Sequence, residues 1–181
     1  DGQKLVSGGN DGAVILWNLT ANNHRELGTL GAAVRELGFA ADAAHLYGVG
    51  ADHNGLVWTV DDNRLSTVEV PDVLALRASG RARLQLASRG QVSLRYEDGA
   101  TRDLAVATRA SAVDLDPNGR WAAVAHTSGV EIWDARARRG RGLAEASVRL
   151  GRIVWSPGGR WIAGVTDNDG LQLWHAENGS R

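Results

Sequence analysis

The stretch SGGNDGAVILWN, Ser7–Asn18, carries the two signals that decide the fold. Small residues lead into the pair Asp11-Gly12, and an apolar run then ends on Trp17. An Asp-Gly pair suits a tight hairpin because both central positions of such a turn need positive φ angles. An apolar run of this length between turn residues is typical of a β-strand. We therefore predict a β-hairpin whose second strand ends at the tryptophan.

The same pattern returns four times along the chain. Its five versions place these residues at the tryptophan position: Trp17, Val60, Arg95, Trp133 and Trp174. Their spacings are 43, 35, 38 and 41 residues. A second marker recurs every 37 to 40 residues, at Phe39, Leu76, Leu115 and Trp155. Two markers with one period indicate an internal repeat.

The period divides the chain into five approximate units, at residues 1–31, 32–71, 72–108, 109–149 and 150–181. Each unit is predicted to hold four short strands, a to d, separated by turn residues. In the fourth unit we place them at Ala112–Leu115, Trp121–Ala125, Val130–Trp133 and near Leu143–Ser147. The first unit lacks strand a and the last lacks strand d, which predicts 18 strands in total. Helical periodicity is absent, so no helix is predicted.

The period, the Asp-Gly turns and the closing tryptophans together resemble the WD-repeat (WD40) family, above all in SGGNDGAVILWN and SPGGRWIAGVTDNDGLQLW. The resemblance extends over essentially the whole chain. It implies an all-β fold, a β-propeller whose blades have four antiparallel strands each. About four and a half blades are present, and the leftover strands at the two ends cannot complete one blade. We therefore expect a partial or half propeller of a bacterial type.

The chain departs from the family in its polar residues. Typical WD repeats place a histidine, a serine or threonine, an aspartate and the tryptophan in a buried hydrogen-bond network. Ala32 stands where the resemblance expects the histidine. Ser7 has a suitable offset from Trp17, whereas Ala123 and Gly164 fill that position in later units. We therefore expect the network to be absent and apolar packing to hold the sheets together.

Composition limits the function classes. The chain has 181 residues, a formal net charge of -1, 43% apolar residues and no cysteine. The charge favours neither nucleic acid nor a membrane surface as a partner. Without cysteine there is no disulfide framework, and no apolar run approaches the ~20 residues that span a bilayer. We expect a cytoplasmic protein, and because the chain has no methionine we expect it to be part of a longer parent chain.

No catalytic or metal-binding motif stands out. The five histidines do not pair at the spacing of metal ligands, and there is no nucleophile elbow or phosphate-binding loop. The segment Thr166–Gly170, TDNDG, is rich in carboxylates but lacks the further oxygen ligands that Ca²⁺ needs. We therefore expect no enzyme activity, no cofactor and no metal.

Two sets of turn residues are the candidates for partner binding. In the resemblance, the turns between strands b and c lie on one face, and those between a and b or c and d lie on the other. The b–c turns supply an acidic and histidine-bearing set: Asp11, Asp52, His53, His126, Asp167 and Asp169. The segment DARARRGRG supplies a basic set on a predicted c–d loop: Arg136, Arg138, Arg139 and Arg141.

Three functions fit these observations. The WD-repeat resemblance implies a non-catalytic scaffold or sensor and docking module that binds a protein or peptide through its loop faces. A propeller-type hydrolase or lactonase is the enzymatic alternative, which would need convergent carboxylates, histidines or a metal. A self-assembling half-propeller is the structural alternative, in which a homodimer closes the ring.

Overall fold

The computed structural model of the chain is all-β. It describes residues 2–40, 44–60, 65–79, 82–96, 99–106, 108–134, 139–145, 149–168 and 170–180. These residues form 18 strands in five antiparallel sheets and contain no helix, as the sequence predicts. The chain divides into two compact units, Asp1–Leu76 and Arg77–Arg181. Among the described residues, no strand of one sheet is hydrogen-bonded to a strand of another sheet in a β-ladder.

The first unit contains two complete sheets. The first sheet has strands β1 (Lys4–Gly8), β2 (Ala13–Asn18) and β3 (Asn23–Thr29). The second has β4 (Val34–Phe39), β5 (His45–Gly50), β6 (Gly55–Val60) and β7 (Leu65–Val70). The boundary with the second unit falls inside the next strand, β8 (Val73–Ser79).

The remaining sheets follow in the same manner, each from consecutive strands. The third sheet has β8, β9 (Ala82–Ala87), β10 (Val92–Tyr96) and β11 (Thr101–Leu104). The fourth has β12 (Ala110–Leu115), β13 (Trp121–His126), β14 (Gly129–Asp134) and β15 (Arg139–Glu145). The fifth has β16 (Leu150–Trp155), β17 (Trp161–Thr166) and β18 (Leu171–His175).

The count and the order of strands agree with the prediction, including the three-stranded sheets at both ends. The least accurate boundary in the fourth sheet is that of strand d. We predict it near Leu143–Ser147, but β15 begins at Arg139 and ends at Glu145. The predicted basic c–d loop is therefore partly a strand. Arg139 and Arg141 pair with Asp134 and Ile132 across the backbone ladder.

Turn chemistry explains where the strands begin. Between β1 and β2 only Gly12 takes a positive φ, 83°, so the predicted two-residue turn with two positive φ angles is wrong. The Asp11 carboxylate accepts the Ala13 backbone N–H at 3.0 Å and so fixes the turn. Between β12 and β13 the Asp116 carboxylate accepts the backbone N–H groups of Arg120 and Trp121, each at 2.6 Å.

Apolar residues on facing sheets form the core of each unit. In the first unit Val14, Leu16 and Leu27 pack with Leu46 and Trp58. In the second unit a cluster joins the fourth and fifth sheets: Ala123, Ala125, Val130, Ile132, Leu143, Leu150, Ile153, Ile162 and Trp174. Both clusters exclude water from surfaces that a single sheet would leave exposed, and this burial is the main favourable contribution to folding.

Strand pairing corrects the predicted tryptophan positions. Trp17, Trp58, Trp133 and Trp174 each pair with the second residue of the preceding strand, in β1, β5, β13 and β17. Trp58, and not Val60, therefore occupies the repeated position in the second sheet. In the third sheet Arg95 holds this position opposite Arg83, as predicted. The corrected spacings are 41, 37, 38 and 41 residues.

Acidic side chains on first strands also join consecutive sheets. In the second unit the Asp114 carboxylate accepts the backbone N–H of Trp155 at 2.6 Å. In the first unit the Glu36 carboxylate accepts the backbone N–H of Leu76 at 3.5 Å. Both N–H groups belong to the second repeated marker, so that marker identifies where one sheet is tied to the preceding one.

Candidate functional site

The predicted acidic turn residues of the first unit lie on one edge. The β1–β2 turn and the segment between β3 and β4 are joined by the backbone bonds Leu30 N–H to Gly12 O and Val34 N–H to Gly9 O. The β5–β6 turn joins the same segment through the bond from Ala51 N–H to Ala33 O. Asp11 and Asp52, both exposed, therefore share an edge, which agrees with the face assignment made from the sequence within this unit.

Asp52 is held by its own turn. Its Oδ2 accepts the side-chain amide of Asn54 at 3.0 Å, and its Oδ1 accepts the Asn54 backbone N–H at 3.1 Å. These bonds stabilise the charged form and lower the pKa of the Asp52 carboxyl below its usual value. The neighbouring His53 has a positive φ of 64°, and its carbonyl accepts the Val73 N–H. Both residues thus shape the turn as well as line its surface.

The second unit holds the remaining residues of the acidic set. Asp167 is exposed and its backbone N–H donates to the Arg149 carbonyl at 3.1 Å. Asp169 lies outside the described residues. His126 is the last residue of β13 and is only 5% exposed, so it does not present its ring to a partner. A role for His126 in direct contact with a partner is therefore not supported by its position.

His126 belongs to a short polar chain. Its Nδ1 accepts the Ser128 backbone N–H at 3.3 Å and lies 3.0 Å from the Ser128 hydroxyl. Its Nε2 lies 3.4 Å from Glu131 Oε1 without hydrogen-bond geometry, and the Trp133 indole N–H donates to Glu131 Oε2 at 2.9 Å. These are the residue types of an acyl-transfer triad, but none of them lines a cavity described below. This row of polar contacts runs from the β13–β14 turn to Trp133 within the fourth sheet.

The basic set does not form a continuous free patch in the described residues. Arg136 and Arg138 lie outside them, and Arg139 is an exposed residue of β15. The Arg141 guanidinium donates to the carbonyls of Ala176 and Glu177, at 2.8 and 2.7 Å. Arg141 thereby ties β15 to the segment after β18.

Charge does not separate the two edges as the sequence suggested. On the a–b side, Arg120 pairs with Asp134 at 3.1 Å. Arg77 lies in β8 and pairs with Asp114 at 3.1 Å. On the b–c side of the second unit, Arg89 and Arg109 line an open cavity of about 530 Å³. Each edge therefore carries both signs of charge.

A second cavity lies between the fourth and fifth sheets, at the edge formed by the β12–β13 and β16–β17 turns. Its volume is about 330 Å³, within the usual range of ligand pockets. Its lining includes the apolar residues Trp121, Ile132, Trp155 and Ala176 and the polar or charged residues Asp116, Asn118, Arg141 and Glu177. Ligand sites commonly combine apolar lining with a few polar groups that fix orientation.

The indole nitrogen of Trp155 is shielded from solvent and has no hydrogen-bond partner among the described residues. A buried N–H without an acceptor costs about 1–3 kcal/mol. Because the nitrogen is closed to water, Trp155 lines the cavity through other atoms of the residue. Trp121, on the opposite side, is stacked by the Arg120 guanidinium at 5.1 Å from the ring centroid.

The part of the chain that the structure describes contains no group of three or more histidine or acidic side chains that could hold a metal. It contains no helix of the length and hydrophobicity needed to cross a membrane. No model of a known protein family matches the chain, and no curated protein matches it either.

The cavity between the fourth and fifth sheets was not predicted from the sequence. In the sequence pattern Trp121 is the first residue of the predicted strand b of the fourth unit, and Trp155 is one of the four residues of the second marker. The signal that was available is that Trp155 is the only tryptophan among the four residues of the second marker. Nothing in the pattern predicts that its N–H group lacks an acceptor, since that depends on the neighbouring sheet.

Proposed function

We propose that the chain is part of a WD-repeat-type β-propeller and serves as a non-catalytic scaffold that binds a protein or peptide segment. The five consecutive antiparallel sheets with a common period support the propeller assignment. The cavity of about 330 Å³ between the fourth and fifth sheets is the observation that carries the binding function.

The composition of the cavity favours a peptide with one apolar side chain next to a polar or charged one. Trp121, Trp155 and Ile132 supply apolar lining, and Asp116, Asn118, Arg141 and Glu177 supply polar and charged lining. Tryptophan and arginine are the residue types over-represented among the strongest contributors to protein–protein binding. Arg141 and Glu177 at the rim would select among peptides by charge.

Selection from a library of displayed random peptides on the immobilised chain tests this proposal. Gly158 lines the cavity, and a Cβ atom added there meets no atom within 4 Å, so Gly158→Phe would obstruct the cavity without disturbing the fold. Gly142→Phe is the matched control, because Gly142 is equally open but does not line this cavity. We expect selected peptides to lose binding to the Gly158 variant and to keep it on the control.

The acidic turn residues provide the alternative surface within the same function. Peptides that bind the Gly158 variant normally but are lost with Asp52→Arg would place the binding site at the b–c turns of the first unit, and peptides lost with Asp167→Arg would place it at the b–c turn of the fifth sheet. The proposed function fails if no peptide is enriched over the immobilised support, or if enriched peptides bind the urea-unfolded chain as well as the folded one.

A further inference from the structure

His126 is the only buried histidine in the chain. All five histidines lie in the described residues, and the other four are exposed or half-buried. His126 ends β13, directly before the turn residues Thr127 and Ser128, and is 5% exposed. Because burying a polar group without a partner costs free energy, the contacts of its two ring nitrogens decide which protonation state the site favours.

Hydrogen bonding at Nδ1 determines where the proton of the neutral ring lies. The Ser128 backbone N–H can only donate, and it donates to His126 Nδ1 at 3.3 Å. Nδ1 of the neutral ring is therefore the acceptor, and the proton lies on Nε2. Nε2 is closed to solvent, has no hydrogen-bond partner among the described residues, and lies 3.4 Å from Glu131 Oε1. The neutral ring thus satisfies the turn and leaves its own N–H without an acceptor, next to a carboxylate oxygen.

A second proton on the ring requires an exchange of partners in the turn. A protonated Nδ1 is a donor, so it opposes the Ser128 backbone N–H that donates to the neutral ring. The Ser128 hydroxyl lies 3.0 Å from the same nitrogen and can accept the new N–H. The charged ring also meets Glu131, whose side chain is only 16% exposed, and opposite charges attract more strongly there than in water. The site therefore offers a partner to each protonation state.

Glu131 connects the ring to Trp133. Its other oxygen, Oε2, accepts the Trp133 indole N–H at 2.9 Å. A positive charge on His126 weakens this hydrogen bond, because both contacts use one carboxylate. The Trp133 indole N–H is therefore sensitive to the charge on the ring.

Within the fourth sheet, few other charged groups lie near His126. Its neighbours on the same face of β12 are buried and apolar: Ala110, Val113 and Leu115. Next to this strand the exposed Arg109 guanidinium donates to the Ser88 carbonyl at 2.7 Å. On β15, Glu145 pairs with Gly129 in the backbone register at the same end of the sheet.

The third sheet lies on the side of the fourth sheet that carries His126. Side chains alternate between the two faces of a strand, and Ala125 packs toward the fifth sheet, so His126 faces the third, whose β9 contacts β12. The buried face of the third sheet is apolar at Leu84, Leu86, Val92 and Leu94. Its charged residues include Arg77, paired with Asp114, and Arg102, which shares the Leu94 face by register and stacks on the Tyr96 ring at 5.1 Å. Of all these groups Glu131 is the one in contact with the His126 ring, so it has the strongest influence on protonation.

We infer that the β13–β14 hairpin is a proton-sensitive switch, in which protonation of His126 replaces its hydrogen bond from the Ser128 backbone with one to the Ser128 hydroxyl and pairs the ring with Glu131. Histidine is the side chain that ordinarily takes up a proton between pH 5 and 8. Thr127 and Ser128 are exposed, so the exchange changes the surface that the chain presents at this b–c turn. The switch does not depend on the proposed peptide-binding function, since none of these residues lines that cavity.

Nitrogen-15 NMR spectra of the full chain, recorded between pH 5 and 8, test this inference. At the upper end of the range we expect the neutral His126 ring to carry its proton on Nε2. As the pH falls, the Ser128 backbone amide and the Trp133 indole N–H should shift with the same midpoint as the His126 ring. The Trp174 indole N–H is the internal reference and should stay constant, because that ring is fully buried and its nitrogen has no partner among the described residues.

Variants separate the switch from a general effect of pH. His126→Gln should abolish the shift of the Trp133 indole. His24→Gln is the matched control, because the His24 ring lies 4.9 Å from Trp17, so this change should affect the titration of the Trp17 indole and leave that of Trp133 unaltered. Glu131→Gln keeps an oxygen acceptor for the indole but removes the charge that favours the protonated ring, so it should move the His126 midpoint to lower pH.

Any of four results would overturn the inference. They are a neutral ring with its proton on Nδ1, a ring that keeps one charge state over the whole pH range, Ser128 and Trp133 resonances that do not follow the ring, and a midpoint that is unchanged or higher in Glu131→Gln. The first three are read from the wild-type chain, so they decide the question even if His126→Gln does not fold.

Discussion

Trp133 in the fourth sheet and Trp174 in the fifth occupy equivalent positions but are held in different ways. The Trp174 ring is fully buried, lies against Gly164, and its indole N–H has no partner among the described residues. The Trp133 ring is half-buried, and its N–H donates to Glu131. The first sheet resembles the fourth in this respect, because the Trp17 N–H donates to the Ser7 hydroxyl at 2.9 Å. The second sheet resembles the fifth, with Trp58 against Gly48.

The difference teaches that one backbone position can be stabilised either by burial or by a polar contact. Where the preceding strand has glycine at the adjacent position, the indole ring is buried in the core and its N–H has no hydrogen-bond partner among the described residues. Where a longer side chain stands there, Ser7 or Val124, the ring stays nearer to solvent and keeps a polar partner. Burying a tryptophan removes a large apolar area from water, which outweighs one unpaired N–H group.

The largest effect that would test this comparison comes from removing the rings. Trp174→Ala should lower the free energy of unfolding by about 3–5 kcal/mol, because it leaves a cavity inside a packed core. Trp133→Ala should cost about 1–3 kcal/mol, because its ring is already partly hydrated. Both residues belong to the same unit, so urea denaturation compares them directly. Equal losses for the two variants would contradict the distinction.

Adding one methyl group under the buried ring is the next largest effect. A Cβ atom at Gly164 would lie 3.0 Å from Trp174 Cζ3 and 3.0 Å from Leu150 Cδ2. We expect Gly164→Ala to destabilise the chain by about 1–3 kcal/mol through overpacking. Gly142→Ala is the control in the neighbouring sheet, because its Cβ would meet nothing within 4 Å. If Gly164→Ala costs less in a Trp174→Phe background, the two positions are coupled through this contact.

Removing the polar partner of Trp133 should have a smaller effect. Glu131→Leu leaves the indole N–H without its acceptor and should cost about 1–2 kcal/mol, whereas Glu131→Gln keeps an oxygen acceptor and should cost less. The indole ¹⁵N–¹H resonance of Trp133 should shift in the leucine variant and stay close to its wild-type position in the glutamine variant. Similar shifts in both variants would show that the bond does not hold the ring.

The smallest effect is expected at Ser7. Ser7→Ala removes the acceptor for the Trp17 N–H but leaves a half-exposed ring that water can reach, so the loss should be about 0.5–1.5 kcal/mol. Ser7→Gly tests the comparison more directly, because it creates the glycine found beside Trp58 and Trp174. We expect the Trp17 indole N–H in this variant to exchange rapidly with solvent in its ¹⁵N–¹H resonance, as in a hydrated ring, since Leu5 beside it is 52% exposed.

The sequence predicts the secondary structure well and the contacts poorly. Turn residues and apolar runs locate all 18 strands because both signals act over a few neighbouring residues. The sequence pattern places Val60, and not Trp58, at the tryptophan position of β6, because that position is found by counting residues from the turn glycine. Turns of unequal length change the number of residues between the glycine and the tryptophan position. The same cause made Ala123, rather than Val124, the predicted neighbour of Trp133. Backbone pairing, which the turns only partly determine, decides both.

The candidate site is less predictable for a related reason. Asp11, Asp52 and Asp167 are on turns, as local signals indicate. We predicted no hydrogen-bond network around the repeated tryptophans, yet His126 contacts Ser128 and the Trp133 indole N–H donates to Glu131. The cavity beside Trp155 arises from the spacing of two sheets 40 residues apart in the chain, which no local pattern records. Residues on turns are therefore found from the sequence, and spaces between sheets are not.

Every sheet is made only of strands that follow one another in the chain, and this has a consequence for synthesis on the ribosome. The first and second sheets have all their strands once residue 70 has been synthesised, whereas β8 still waits for β9. At roughly 5–20 residues per second, the 105 residues of the second unit take on the order of 5–20 seconds to make, far longer than hairpins need to form. The first two sheets can thus form before the chain is complete, and during this time exposed apolar residues such as Leu5 and Val68 are available to chaperones.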